Sequence, residues 1–324
     1  MMKRIINHLK NSRRLILATH INPDGDAIGS LTAMGLALEA LGKETTLHCA
    51  SPIPAVYRFL TGTARITAQY NASESYDTAI ILDCGDFERV GPAYADIAKT
   101  ATIINIDHHD TNTRFGDFQI VDTAASATAE ILYRLFKALD VAISPDMANS
   151  IYTGIFTDTG SFRFSNTNRA AFAICEEMVA SGMDPYTVAQ NVYGTYSLGR
   201  IKLLNLALDS IELAAEGKVS IMTLTRDMLA ETRTQPEDID GLINYARRIE
   251  DVKLAVLLQE IENGSQPTNS GPLFHVSLRS DGGVDVSEIA AAFGGGGHKE
   301  AAGFNIDAPL AEIRAQIVRL AEKL

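Results

Sequence analysis

Tryptophan is absent from the 324 residues, and aromatic residues make up only 7% of them. Tracking a long single strand by stacking successive bases needs an aromatic-rich basic groove, so that role lacks its chemistry here. The three cysteines, Cys49, Cys84 and Cys175, are widely spaced and form no Cys-x-x-Cys pair. Neither a disulfide framework nor a thiolate zinc site is suggested by that pattern, and a reducing cytoplasm fits. No uninterrupted apolar run reaches about 18 residues, so no membrane span is expected. The N-terminal basic residues Lys3, Arg4, Lys10, Arg13 and Arg14 precede an apolar stretch, residues 15–18, far too short for an export signal. Basic charge is scarce as well: Lys+Arg 28 stand against Asp+Glu 40, a formal net charge of -12. Such a chain has no general attraction for polyanions, which excludes coating of long duplex DNA. Any nucleotide substrate must be held by metals and a local basic pocket.

What is present is ordinary globular composition, 46% hydrophobic and 21% charged, in a length that suggests two domains at roughly 100–200 residues each. Short apolar runs ending in polar or acidic residues recur at 15–19, 79–83 and 103–107 and read as buried parallel strands. Helix-period segments at 27–41, 125–139 and 145–156 alternate with them. The pattern predicts an α/β fold, a doubly wound, mostly parallel sheet, whose ligands bind at the carboxyl ends of the strands. His20, Asp83 and Asp107 fall at those ends. A helical stretch is expected from about 196 to 214 and a new strand at 219–224, followed by strands at 253–261 and 273–279, a helix at 286–293 and a terminal helix from about 309. This gives a first domain at 1–195, a helical linker at 196–217 and a smaller α+β domain at 218–324. The turn-rich segment 263–272 is expected to be a loop.

The chemistry concentrates at the strand ends. His20-Ile21-Asn22-Pro23-Asp24-Gly25-Asp26 places three metal-ligating residue types in one tight loop before a helix. Alone it reads equally well as an Asx turn with Asp26 as the helix cap. Asp83 and Asp107-His108-His109 share its sheet edge, however, and Asp158 ends an apolar helical pattern in Ile155-Phe156-Thr157-Asp158-Thr159-Gly160. Four carboxylates, Asp24, Asp26, Asp83 and Asp158, would converge, and like charges about 4 Å apart repel by roughly 4 kcal/mol at an effective dielectric near 20. Two divalent ions balance the four charges, with His20 and His108 adding imidazole nitrogens. Mixed nitrogen and oxygen ligation suits Mn²⁺, and also Zn²⁺, Co²⁺ or Fe²⁺, better than Mg²⁺.

The set His20-x-x-x-Asp24-x-Asp26, Asp83, Asp107-His108-His109 and Asp158 resembles the four motifs of the DHH phosphoesterase superfamily. Gly294-Gly295-Gly296-Gly297-His298-Lys299-Glu300-Ala301-Ala302-Gly303-Phe304 resembles the motif of its associated second domain. The resemblance covers essentially the whole chain and is strongest to the nanoRNase/pAp-phosphatase branch. It implies one metal on His20, Asp24 and Asp83 and another on Asp26, Asp83, His108 and Asp158, with Asp83 bridging. His109 would face the substrate phosphate, Asp107 would orient its neighbouring histidines, and both would belong to the catalytic set. A homodimer is a further expectation drawn from related proteins.

The expected chemistry is hydrolysis by a hydroxide held between two metals, most simply Mn²⁺, with Co²⁺ or Mg²⁺ as substitutes. The substrates are short RNA oligonucleotides, cut to mononucleotides, and pAp, cut to AMP and phosphate. Phosphate approach also needs cationic or hydrogen-bonding partners: His109, Arg163 and His298 are the candidates. Arg163 reads equally well as a surface arginine. Gly295, Gly296 and Gly297, flanked by alanine and phenylalanine instead of linker serines, are expected to form a backbone cradle, with Arg279 and Ser280 ending a strand in the same domain. The active site is expected in the cleft between the domains. A pyrophosphatase or exopolyphosphatase of the same superfamily is the enzymatic rival, and a nucleotide-sensing module the non-enzymatic one. His8, His48 and His275 are expected to be structural or solvated.

Overall fold

The computed structural model describes residues 1–71, 74–194, 196–239, 241–261 and 272–321. The chain divides into two compact units, Met1–Thr195 and Tyr196–Leu324. Among the described residues no helix is long and apolar enough to cross a membrane.

The first unit runs α1 (Met2–Asn11), β1 (Arg14–Ala18), α2 (Gly25–Ala40), β2 (Glu44–His48), β3 (Ile66–Thr67), β4 (Thr78–Leu82), α3 (Tyr94–Ile97), β5 (Ile103–Asp107), β6 (Phe118–Val121), α4 (Thr128–Ala138), α5 (Pro145–Asp158), α6 (Arg169–Ala180) and α7 (Pro185–Tyr193). Its sheet has the order β3-β2-β1-β4-β5-β6, and every pairing is parallel. The order reverses direction between β1 and β4, and open α/β sheets leave a crevice at the carboxyl ends beside such a switch point.

Alternation along the strands sends Leu15, Leu17, Ile80, Leu82, Ile104 and Ile106 into a core under the long helices. Ile16, Ala18, Ala79 and Ile81 face a thinner second layer containing Val90 and Ile97. Helix α2 is buried along most of its length, so it needs apolar or small residues all round. A Cβ at Gly29 would press on the Ser150 carbonyl of α5 at 2.5 Å. The absence of a side chain there lets the two helices touch and fixes the end of α5 relative to the sheet edge.

The second unit runs α8 (Leu198–Asp209), β7 (Glu212–Ala214), β8 (Val219–Leu224), α9 (Arg226–Thr232), α10 (Ile243–Arg247), β9 (Leu254–Ile261), β10 (Leu273–Ser280), α11 (Val286–Ala291), β11 (Gly296–His298), β12 (Ala301–Asp307) and α12 (Leu310–Ala321). Its mixed sheet has the order β11-β12-β10-β9-β8-β7, with β8 and β9 parallel and the other pairs antiparallel. One face carries Val219, Ile221, Val256, Val276 and Phe304; the other packs Met222, Leu224, Ala255 and Leu257 against Leu203 and Ala207 of α8.

The expected helix at 196–214 is therefore shorter. Residues 212–214 pair with β8 as a strand, because Ala215, Glu216 and Gly217 all take positive φ (49°, 55° and 87°) and turn the chain back on itself. Helix α8 is part of the second unit's core. Of the expected loop 263–272, residues 263–271 lie outside the described residues.

Candidate metal centre

Three strand ends and two helix ends build the cluster. After β1, Thr19 donates its hydroxyl to the Leu82 carbonyl at the end of β4, which ties the two strand ends together. The loop then places His20, and Asp24 caps α2 by accepting from the amides of Asp26 and Ala27, both at 3.0 Å. The cap is thus Asp24 and not Asp26, the cap in the alternative Asx-turn reading, and the helix begins at Gly25, two residues before the expected Ala27. Asp26 caps a different helix. Its carboxylate accepts from the amides of Thr128 at 2.6 Å and Ala129 at 3.0 Å in the first turn of α4, where an anion complements the helix dipole.

Asp83 follows β4 with φ 57°, a left-handed conformation that L-residues adopt at a cost, mostly where the surroundings enforce it. It is buried, and Thr128 donates its hydroxyl to Asp83 Oδ1 at 3.0 Å. Asp107, His108 and His109 leave β5 in sequence. His109 Nδ1 donates to Asp107 Oδ1 at 2.7 Å, and Asn112 donates to Asp107 Oδ2 at 2.5 Å. Asp158, at the end of α5, is held by Asn166 at 3.0 Å.

Ligand atoms of His20, Asp24 and Asp83 lie within 4.8 Å of one another, as do those of Asp26, Asp83 and His108 and those of Asp83, Asp107 and His109. Asp83 is common to all three groups. The histidine tautomers match a cation site. His20 Nδ1 lies 2.8 Å from the Ile21 carbonyl oxygen and His108 Nδ1 3.4 Å from that of Ala125. A carbonyl only accepts, so each Nδ1 donates a proton and Nε2 would be the atom presented to a metal, the usual arrangement for histidine at such sites.

His20 Nε2 is 3.6 Å from Asp83 Oδ2. His108 Nε2 is 3.7 Å from Asp83 Oδ1, 3.6 Å from Asp158 Oδ2 and 4.0 Å from Asp26 Oδ2. Two ligands about 2.1 Å from one ion and about 90–120° apart lie about 3.0–3.6 Å from each other. The observed separations exceed hydrogen-bond lengths and are close to that range.

Electrostatics agree. Burial, with Asp83 and Asp158 nearby, pushes the Asp26 carboxyl well above the usual carboxylate range. Burial, helped by Asp24 and Asp83 and opposed by His108, pushes Asp158 up to about 7. Burial resists a charge on His108, but Asp158, Asp83 and Asp26 outweigh it and raise the imidazole to about 9. Asp83 is shifted the other way. Burial is outweighed by His20, His109 and His108, which hold its carboxyl well below the ordinary range. A divalent cation at this cluster would compete with protons for Asp26, Asp158 and His108.

The remaining expected residues are placed differently. Arg163 is exposed, and its Nε donates to the Gly160 carbonyl, which ties it to the turn after α5. In the second unit Ser280 is fully buried; its hydroxyl donates to the Val284 carbonyl and accepts from the Gly282 amide. That hydroxyl stabilises a turn. Arg279 is half-buried on β10, with Nη1 donating to the Leu278 carbonyl at 2.9 Å.

The glycine run divides. A Cβ at Gly295 would run into the Gly303 carbonyl, and one at Gly297 into the Ala301 carbonyl, so both are required by packing against β12. Gly296 faces open space, and His298 ends β11. Gly295→Ala is expected to destabilise the protein by about 1–3 kcal/mol through overpacking, while Gly296→Ala changes stability by less than about 0.5 kcal/mol. Thermal unfolding of both variants checks this. Equal melting temperatures would contradict the division.

Sequence reasoning missed Thr128, Asn112 and Asn166, whose roles arise from contacts with residues distant in sequence or across a turn. The available signal was weak: a Ser-Ala-Thr start to a helix and two asparagines shortly after ligand motifs.

Sheet order and cluster together define an α/β protein with a strand-end site for divalent cations. The chain matches the DHH family, N-terminal domain, over residues 14–155 and the DHHA1 domain over residues 217–323. It is 32% identical over 289 residues to the bifunctional oligoribonuclease and PAP phosphatase NrnA of Thermus thermophilus, covering 89% of this chain and 83% of that protein. It is 26% identical to the Bacillus subtilis protein of the same name, covering 90% and 89%. A crystal structure of an exopolyphosphatase-related protein from Bacteroides fragilis superposes with a TM-score of 0.88 at 25% identity, covering 99% of this chain and 95% of that one. The chain belongs to the DHH family of phosphoesterases.

Proposed function

We propose that this protein is a manganese-dependent phosphoesterase that hydrolyses short oligoribonucleotides to mononucleotides and pAp to AMP and phosphate. The observation that carries the reading is the convergence of Asp24, Asp26, Asp83 and Asp158 with the Nε2 atoms of His20 and His108 at the sheet's switch point. The names of its Thermus and Bacillus relatives supply the substrate class.

His20, Asp24 and Asp83 would hold one ion, and Asp26, Asp83, His108 and Asp158 the other. Such a pair supplies Lewis acidity, an activated water and charge compensation for displacement at phosphorus. The nitrogen and oxygen donor set favours Mn²⁺ or Co²⁺ over Mg²⁺.

The protein's own groups do the rest. Asp107, fixed by Asn112, holds His109 Nδ1, so His109 Nε2 is the atom that meets the substrate phosphate. In both pAp and a dinucleotide the bond broken joins phosphorus to the ribose 3′ oxygen, so one arrangement serves both. We assign nucleotide recognition in the second unit to His298, Arg279 and the open backbone at Gly296, with Gly295 and Gly297 as packing glycines. A cytoplasmic setting is supported by three free, buried cysteines, as a reducing compartment requires.

His298→Ala is expected to keep both metals and the fold but to lose about 100-fold in turnover of pAp and dinucleotide, corresponding to one charge-stabilising donor. A generic activated phosphodiester should lose much less. Equal losses on both substrates would move His298 into the chemical step, and unchanged turnover would make it structural. The reading as a whole is tested by offering the manganese-loaded protein pAp, a diribonucleotide, a 24-mer RNA and pyrophosphate. Cleavage of the first two, a slower 24-mer and intact pyrophosphate are expected. Pyrophosphate as the preferred substrate would overturn the nucleotide assignment.

A further inference from the structure

Asn166 lies beyond the end of α5, where the chain makes a left-handed turn through Gly160, Ser161 and Phe162 (φ 56°, 61° and 62°). Positive φ at two successive residues with side chains is costly. The turn is held by Phe162, which stacks on Phe172 at 5.0 Å and meets Phe156 edge-on at 5.8 Å. It brings Asn166 back against Asp158, eight residues earlier.

The Asn166 amide nitrogen then donates to three oxygens: the Asp158 carbonyl at 3.1 Å, Asp158 Oδ2 at 3.0 Å and the Ser126 carbonyl at 2.9 Å. The two backbone carbonyls only accept, so the orientation of the amide is fixed. Its Oδ1 is buried with no hydrogen-bond partner among the described residues. A buried amide with an unsatisfied acceptor opposes folding, which points to a residue kept for its donor end.

Ser126 begins the segment whose Thr128 and Ala129 amides hold Asp26 and whose Thr128 hydroxyl holds Asp83. Asp158 stands apart from that pair. Its side chain is 22% exposed, against 0% for Asp26 and 2% for Asp83. Among the described residues Asn166 is the one side chain that hydrogen-bonds its carboxylate.

We infer that Asn166 is a positioning residue, a clamp that sets Asp158 against Asp26 and Asp83 and so shapes the pocket of one ion of the pair. The inference rests on the reading of Asp158 as a ligand to that ion. His20 and Asp24, on the other side of Asp83, make no hydrogen bond to Asn166, so the two ions respond differently to its loss.

The test is Mn²⁺ titration of the full chain, with free ion followed by electron paramagnetic resonance, alongside thermal unfolding in chelator. Wild type should bind two ions. Asn166→Ala should bind one as tightly as wild type and the other about 10–100-fold more weakly, the range for loss of a group that orients a ligand. Asn166→Leu, which fills the same space without a donor, should do the same and guards against a misfolded alanine variant. Asn168→Ala is the structural control. Asn168 caps α6 and bonds Glu130 and the Ala124 carbonyl without touching the cluster, so its loss should lower the melting temperature and leave both ions bound. If Asn166→Leu holds both ions at wild-type affinity, or loses both equally, the clamp is wrong. If wild type itself binds fewer than two, the dinuclear reading falls and the clamp with it.

Discussion

Asp83→Asn is expected to abolish turnover, by more than about a thousandfold, and to leave the protein unable to hold two ions at once. Asparagine is the substitution of choice because Asp83 sits at φ 57°, a conformation that asparagine tolerates and alanine does not. Shape and backbone are kept while the charge is removed. The size of the effect follows from position. Asp83 is common to the three candidate ligand groups that lie wholly within the first unit, and it is the carboxylate that His20, His109 and His108 hold well below the ordinary range despite full burial. Groups that merely orient a ligand contribute about 10–100-fold, and a shared ligand contributes more. Elemental analysis and turnover on pAp check the outcome. An Asp83→Asn protein with two metals and wild-type turnover would show that the strand end is not the shared ligand.

Removal of metal should have an equally large effect. Exhaustive chelation should reduce hydrolysis of pAp and dinucleotide to background, and Mn²⁺ should restore it better than Mg²⁺ at the same concentration, because two imidazole nitrogens join the carboxylates. The chelated chain should remain folded. Its first-unit core, with Leu15, Leu17, Ile80, Leu82 and Ile106 under α2, α4 and α5, is held by apolar packing that needs no ion. Circular dichroism before and after chelation, with metal content verified, separates loss of chemistry from loss of fold. Full turnover in verified metal-free protein would remove the mechanism.

The parts of this protein legible in its sequence are those where local pattern and tertiary role coincide. Apolar runs ending in Asp83 and Asp107 are buried on both faces of a parallel sheet, and they mark both the strands and the sheet edge where the candidate ligands gather. Strand β2, Glu44–His48, begins with Glu-Thr-Thr and lies near the edge of the sheet, and β3 has only two residues; neither carries an apolar signature. Asp24 and Asp26 are both capping residue types, so local sequence does not decide which of them caps α2. The choice is made by α4, which takes Asp26 for its own first turn across about a hundred residues of chain. Ser280 and the glycine run look alike in sequence as polar or flexible recognition elements. The fold uses Ser280, Gly295 and Gly297 for turns and close packing and leaves Gly296 open. Asn166 was hidden for a related reason: its partners are brought to it by the left-handed turn at 160–162.

The most direct test of the account is anomalous diffraction from crystals grown with Mn²⁺. Two anomalous peaks are expected, one among His20 Nε2, Asp24 and Asp83 and one among Asp26, Asp83, His108 Nε2 and Asp158, with Asp83 in contact with both. A single peak, or a pair in which Asp83 touches only one ion, would contradict the shared-ligand centre on which the proposed phosphoesterase chemistry stands.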